Sequence, residues 1–418
     1  MNCKIKPKAL RFILAGLVLL FAVHPLLAQG LSINGYVRQY TGVLTSEDTE
    51  YLIVQNTLDL ELRHSKGDVA FKANPYVYHY RDRDQKIGLR EAYIDIYFRS
   101  MDVRVGKQQI IWGKAQGVFI TDIVSPKDLR EFLLPDFEEI RMGVTAVKAD
   151  YYIGNHALEL VWLPVFTPTR MPEEGSIWRP RMDFPITPQF DTSQQEVEGS
   201  LKNSEWFIKY SALTSALDVE IMAGTAWDDD PTLHISKRFD PQNRQLDALT
   251  VTPKHHRLTL GGGSFSTTLG PVVMRGEGAF YRGKYFNTAD PTVADAVVEK
   301  DYMHYLLGLD YSIWDIQCSG QFIQEAILDY EPGIEQDEFE NTMTVRARRD
   351  FLRETLTLEL FSYIGLNHND ALIRPRLYYD LSDGFEILLG ANLFTGDQGR
   401  FGQYEDNDMG YFKIKYSF

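Results

Sequence analysis

Segments of roughly ten residues in which apolar and polar side chains alternate recur along almost the whole chain, the period of strands with one face in lipid and the other in water. Phe385, Ile387, Leu389, Ala391 and Leu393 alternate with Glu386, Gly390 and Asn392, and Met303, Tyr305, Leu307, Leu309 and Tyr311 alternate with His304 and Asp310. Ala92, Ile94, Ile96 and Phe98 do the same against Glu91, Tyr93, Asp95 and Arg99. Past residue 28 no apolar run reaches the roughly 20 residues that a membrane helix needs, although 44% of the chain is hydrophobic and it holds 23 tyrosines and 24 phenylalanines. Backbone in lipid must satisfy its N–H and C=O groups internally, so strands that cross a membrane have to close into a barrel. The expected fold class is all-β, an antiparallel transmembrane β-barrel.

The alternation places strands at 31–40, 51–64, 68–80, 87–99, 101–112, 140–152, 156–163, 203–211 and 217–227. It continues with 255–267, 271–284, 301–312, 315–328, 341–350, 354–364, 370–380, 384–395 and 410–418. That is about 18 strands, with about 16 as the alternative, and an even number puts both chain ends on the periplasmic side. Every second connection is a short turn, as at Ser65-Lys66-Gly67, Ile153-Gly154-Asn155 and Leu269-Gly270. The others are mostly long, including 113–139, 164–202, 228–254, 285–300, 329–340 and 396–409.

The two ends of the chain set the compartment. Lys4, Lys6, Lys8 and Arg11 precede an apolar run from Phe12 to Val23, and Leu26-Leu27-Ala28 offers a small residue for cleavage. Residues 1–28 therefore read as a signal peptide and 29–418 as the exported barrel. Cys3 leaves with the leader, so Cys318 has no partner for a disulfide. The leader carries only positive charge, which makes the exported chain more acidic than the formal −15 of the whole and excludes nucleic acid as a partner. At the other end Phe412, Ile414, Tyr416 and Phe418 share one face and Lys413, Lys415 and Ser417 the other. This ending resembles the insertion signal read by the barrel assembly machinery, and it implies the outer membrane of a Gram-negative bacterium, with lipopolysaccharide as the surrounding lipid.

One long connection does not look like a solvated loop. Residues 113–139 carry Val118, Phe119, Ile120, Ile123, Val124, Leu129, Phe132, Leu133 and Leu134, which something must cover. The expectation is that this segment folds back into the barrel mouth and narrows it; a lid over the rim or a contact with another protomer is the alternative. Ser125, Pro126 and Asp128 read as the start of a short helix that Pro135 ends, with Ser125 as cap and Asp128 closing a capping box. Loop 164–202 holds Pro164, Pro168, Pro172, Pro180, Pro185 and Pro188, so it is expected to be stiff rather than helical and to cap the pore from outside.

The run Arg104, Gly106, Lys107, Gln108 and Trp112-Gly113, followed by Asp122, Ser125-Pro126 and Asp128-Leu129-Arg130, resembles the signature of a porin-like bacterial outer-membrane family of unknown function, and more distantly of alginate-export barrels. It has Ser125 where Asn usually precedes the proline. A weaker echo lies at Ala216-Leu217-Asp218-Val219 and Trp227-Asp228-Asp229-Asp230-Pro231. The resemblance implies a barrel with transport-like genetics that works beside an inner-membrane exporter of lipid or hydrophobe, and it supplies no substrate. With the inward loop it marks Arg104, Gln108, Trp112, Asp122, Ser125, Pro126, Asp128 and Arg130 as candidates for a constriction.

Inward-facing charges are unevenly spread. Asp59, Glu61, Glu91, Asp95 and Asp102 fall on early strands, and Arg346, Arg348, Arg374, Arg376, Lys413 and Lys415 on late ones. This arrangement either sets a field across the pore or supplies the salt bridges that a barrel interior needs. Acidic clusters at Glu47, Asp48 and Glu50, at Asp228–Asp230, from Asp329 to Glu340 and at Glu405, Asp406 and Asp408 belong to the outer loops. They lack the spacing of a calcium loop, so no metal is assigned, and solvated loops are favoured over divalent bridges to lipopolysaccharide. The sequence holds no Gly-x-Ser-x-Gly, His-Glu-x-x-His, phosphate loop or Cys-x-x-Cys, so it reads as no enzyme and implies no cofactor. Two functions remain. The favoured one is a channel for diffusion or facilitated passage of small solutes, and the alternative is a non-conducting barrel that passes lipidic cargo to or from a periplasmic or inner-membrane partner.

Overall fold

The computed structural model describes residues 30–45, 50–81, 84–182 and 184–418. The leader assigned to 1–28, and Glu47 and Asp48, lie outside them. Eighteen strands form one antiparallel sheet, each pairing with its neighbours in the chain. The sheet closes where the first strand, Ser32–Leu44, pairs with the last, Met409–Ser417, from Tyr36 opposite Ser417 to Leu44 opposite Met409. Backbone bonds of 3.0 and 2.9 Å between Gly35 and Phe418 carry this ladder to the terminal phenylalanine. Pairing of the first strand with the last leaves the sheet no free terminal strand among the described residues, which is what allows such a sheet to stand in lipid.

Each of the 18 expected segments is a barrel strand, with ends displaced by a few residues. The segment 101–112 stops at Gln108 and 140–152 begins at Val144, because the chain between them turns away from the wall. The segments 271–284 and 301–312 lengthen to Val272–Asn287 and Val297–Ile313 and rise past the long-loop rim. The connection 228–254, expected as loop, contains a hairpin of Thr232–Phe239 and Leu246–Lys254, to which Gln189–Phe190 adds in parallel. Its signal was present: Leu233 and Ile235 alternate with His234 and Ser236, and Asp240-Pro241-Gln242-Asn243 supplies a turn.

The expected helix after Ser125 is corrected. Residues 127 and 128 form isolated bridges with Arg141 and Arg170, and turns follow at Leu129–Phe132 and Glu131–Leu134. One helical turn forms beyond Pro135, at Phe137–Ile140. The capping groups are used elsewhere, since the Ser125 hydroxyl bonds to Ile110 and Asp128 to Arg130, so the local helix signal loses to tertiary partners.

The two faces of the sheet differ as a membrane requires. Leu58, Ile94, Leu160, Ile221, Leu307 and Leu389 are among the exposed outward residues, while Thr57, Asp59, Glu91, Asp95, Gln321 and Asn392 are buried on the inner face. In the last strand Phe412, Ile414 and Tyr416 face outward and Tyr411 and Lys413 inward. Exposed Tyr97, Tyr151, Tyr210, Tyr311, Tyr379 and Tyr416 mark the short-turn end, where a membrane interface favours rings with one wet edge.

Candidate functional site

Gly106 adopts φ +133°, a conformation that suits glycine, and a Cβ there would strike the Ala92 carbonyl. Arg104 still sits in the wall, paired with Asp95 at 2.6 Å, and Gln108 is fully buried, donating to the Ala146 carbonyl (3.1 Å). Beyond them the two ends of the inward segment are tied together. The Ser125 hydroxyl accepts the Ile110 N–H (2.9 Å) and donates to the Ile110 carbonyl (3.1 Å), and Pro126 O accepts the Met142 N–H (2.8 Å). Asp122 accepts the Trp112 N–H (3.3 Å) and two N–H groups of Arg141. Burial pushes the Asp122 carboxyl above its ordinary value, against the pull of the Arg141 guanidinium. Trp112 is buried edge-on to Phe207, its Nε1–H on Glu159 (2.6 Å).

From this knot the segment crosses to the opposite wall. Glu277 accepts the Lys114 N–H, the Thr121 N–H (3.3 Å) and the Thr121 hydroxyl (2.8 Å). Gln321 exchanges two hydrogen bonds with the backbone of Gln116, and the Tyr363 hydroxyl donates to the Gly117 carbonyl. The return leg is held by Arg374, which donates to the Leu133 and Leu134 carbonyls at 2.9 and 2.8 Å. Phe132 then meets Trp178 of the Pro-rich loop and Phe401 and Tyr404 of the loop before the last strand. Three connections thus share one aromatic cluster over the lumen.

What remains open is a cavity of about 1150 Å³ between this segment and the first four strands. Its wall carries Arg38, Arg90, Tyr76, Tyr78 and Tyr80, and its loop side Asp128, Arg130, Glu139 and Arg170. Of the eight residues marked by the sequence, Asp128 and Arg130 line it; Arg104, Gln108, Trp112, Asp122, Ser125 and Pro126 do not, and sit in the wall or in the knot. Arg38, Lys86, Arg90, Arg170, Glu139 and Trp178 were not marked. Tyr76-x-Tyr78-x-Tyr80 was a legible inward stripe, whereas Arg170 reaches the site only through its bridge to residue 128.

The electrostatics follow from burial against pairing. Burial alone would raise the Asp128 carboxyl, but the hydrogen bond from Arg130 and the charges of Lys86 and Arg170 hold it below the ordinary range. Lys413 and Arg38 do the same for Asp136, and at Glu139, where burial is the largest single effect, the charges of Arg38, Lys413 and Arg90 together hold the carboxyl below its ordinary value. Deeper in the lumen pairing is mostly local: Asp59 meets Arg90 (3.1 Å), Glu61 and Glu91 share Lys72 (3.1 and 2.8 Å), and Arg346 and Arg376 share Glu359 (2.6 and 3.4 Å). Arg348 meets Asp350 at 3.2 Å, and Arg374 is spent on carbonyls and Asn392 rather than on a carboxylate. On the outer rim Asp337, Glu340 and His368 bring their ligand atoms within 4.8 Å of one another.

The fold is that of outer-membrane porins. Pseudomonas aeruginosa OccK8 (OprE) matches at 10% identity and TM-score 0.57, over 93% of this chain and 98% of that one. A BenF-like porin from Pseudomonas fluorescens Pf-5 (10%, 0.56, 93% and 98%) and P. aeruginosa OccK2 (OpdF), solved in complex with glucuronate (10%, 0.55, 93% and 96%), are similar in the same way. No curated protein matches the sequence. The family model described as "Protein of unknown function (DUF1302)" matches residues 55–418, and with that span, nearly the whole barrel, the chain belongs to this family.

Proposed function

We propose that this protein is a porin-like channel of the Gram-negative outer membrane that passes small polar solutes through a lumen narrowed by residues 109–143. The observation that carries the reading is the crossing of that segment from Arg38 to Glu277, which leaves a polar cavity of about 1150 Å³ instead of a filled core. Inward hydroxyls and guanidinium groups there replace the hydration of a solute, as in selective pores. The glucuronate in OccK2 makes small acids the first solutes to try. Insertion by the barrel assembly machinery and residence among lipopolysaccharide belong to the same proposal. Planar-bilayer recording of the refolded protein tests it: steady openings are expected, and deletion of 113–139 should enlarge them. A silent barrel, or a deletion that leaves conductance unchanged, refutes it.

A further inference from the structure

The barrel wall is incomplete on one side. The strand Lys86–Tyr97 pairs with its earlier neighbour as far up as Lys86, opposite Tyr78, but with its later neighbour only up to Ala92, opposite Lys107. The upper part of that strand therefore has a sheet partner on one side alone. Beside it Met101–Gln108 has 8 residues, as does His156–Leu163 two strands on, and a strand needs about 9–11 to cross the hydrocarbon. The wall is lowest where the chain turns inward, at the long-loop end.

The lining of the cavity reaches the outer face at this notch. Besides the inward Arg38, Tyr78 and Glu139 it is lined by Ile87, Leu89, Lys107 and Thr145. Those four lie on the outer face: Ile87 is 75% exposed and Leu89 38%, and Lys107 lies opposite Ala92 and Thr145, on the face of Ile94 and Val105. The notch is also short of negative charge. Asp128 is shared by Arg130 (2.6 Å), Lys86 (3.3 Å) and Arg170 (3.7 Å), and Lys107 has no carboxylate within 4.0 Å among the described residues. The cavity's remaining acids, Asp84, Glu131, Glu173 and Glu174, do not pair with Lys107.

We infer that this notch is a lateral portal, resting on the outer-membrane reading, through which an amphiphile with a carboxylate or phosphate head and an apolar body moves between the lumen and the outer leaflet. The head is held by Lys107 and Arg170, whose side chains donate no hydrogen bond of ordinary length to a carboxylate among the described residues. The apolar body faces Ile87 and Leu89, which already lie toward lipid. A solute of this kind needs no passage through the aromatic cluster above the lumen.

The test uses the full-length barrel in nanodiscs and 9,10-dibromostearate, whose bromines quench tryptophan on contact. Leu89→Trp sets an indole where the tail is placed, so a saturable quench present in Leu89→Trp and absent from the parent is expected. The methyl ester, which keeps the tail and lacks the charge, should give no saturable quench. Lys107→Gln with Arg170→Gln should weaken the acid by at least about tenfold, the loss of one charged hydrogen bond, while Arg238→Gln on the distant hairpin should not. Equal quenching by acid and ester, or an unchanged affinity in the double variant, overturns the portal. So does displacement of the stearate by equimolar lipid A, which would make the notch a seat for resident lipid. Conductance recorded on the same preparation separates the two proposals: saturable binding in a silent barrel sinks the channel and keeps the portal, and open channels without saturable binding do the reverse.

Discussion

Glu277→Ala should release the inward segment without unfolding the barrel. Glu277 is 5% exposed and Thr121 fully buried, so the three hydrogen bonds between them and Lys114 have no water in competition while the segment is docked. Bonds to a charged acceptor contribute about 1.5 kcal/mol each at the low end, which gives roughly 4–5 kcal/mol for three. Release lets the freed N–H groups hydrate in the lumen, and halving the sum for that recovery leaves about 2 kcal/mol, or roughly a 30-fold shift toward the released state. The remaining anchors on Gln321, Tyr363 and Arg374 keep the docked form populated. Single-channel recording should show the larger conductance level occupied about 30 times more often than in the parent. Glu277→Gln, which keeps one acceptor oxygen, should fall between. The reasoning is refuted if Glu277→Ala folds normally, by its heat-dependent migration on a denaturing gel, and gates as the parent does.

Two further outcomes follow from the same geometry. Asp122→Ala strands the buried Arg141 guanidinium and should cost about 3–5 kcal/mol of docking; acrylamide should then reach Trp112, now 2% exposed, and an unchanged quenching constant would contradict the knot. Asp128, Asp136 and Glu139 have lowered pKa values, so their contribution to the closed form is complete above the ordinary carboxylate values of about 4 and is lost as pH falls through the lowered ones. Conductance should stay flat from about pH 7 to pH 4.5 and rise only below about pH 4. Asp122, shifted the other way, contributes most below its raised value and less as pH rises through it, so opening as pH rises would show that it dominates.

The sequence by itself determined the barrel. Period-2 alternation is a property of each strand alone, and the lipid–lumen contrast imposes it on every strand, so all 18 segments could be placed in sequence, while the choice of 18 over 16 waited for their pairing. It also marked 113–139 as a segment that had to be covered, because so many apolar side chains cannot stay in water. The tertiary structure decided what that segment does. The helix written into Ser125, Pro126 and Asp128 gave way to bonds with Ile110, Arg130 and Arg170, partners that no local rule relates to them. Trp112, Asp122 and Ser125, marked as pore residues, tie the segment's ends, and the cavity took Arg38, Arg90 and Trp178 from three separate parts of the chain. The notch, too, arises only in three dimensions: the alternation carried the strand from 101 to 112, and its end at Gln108, below its longer neighbour, is set by the inward turn of the chain.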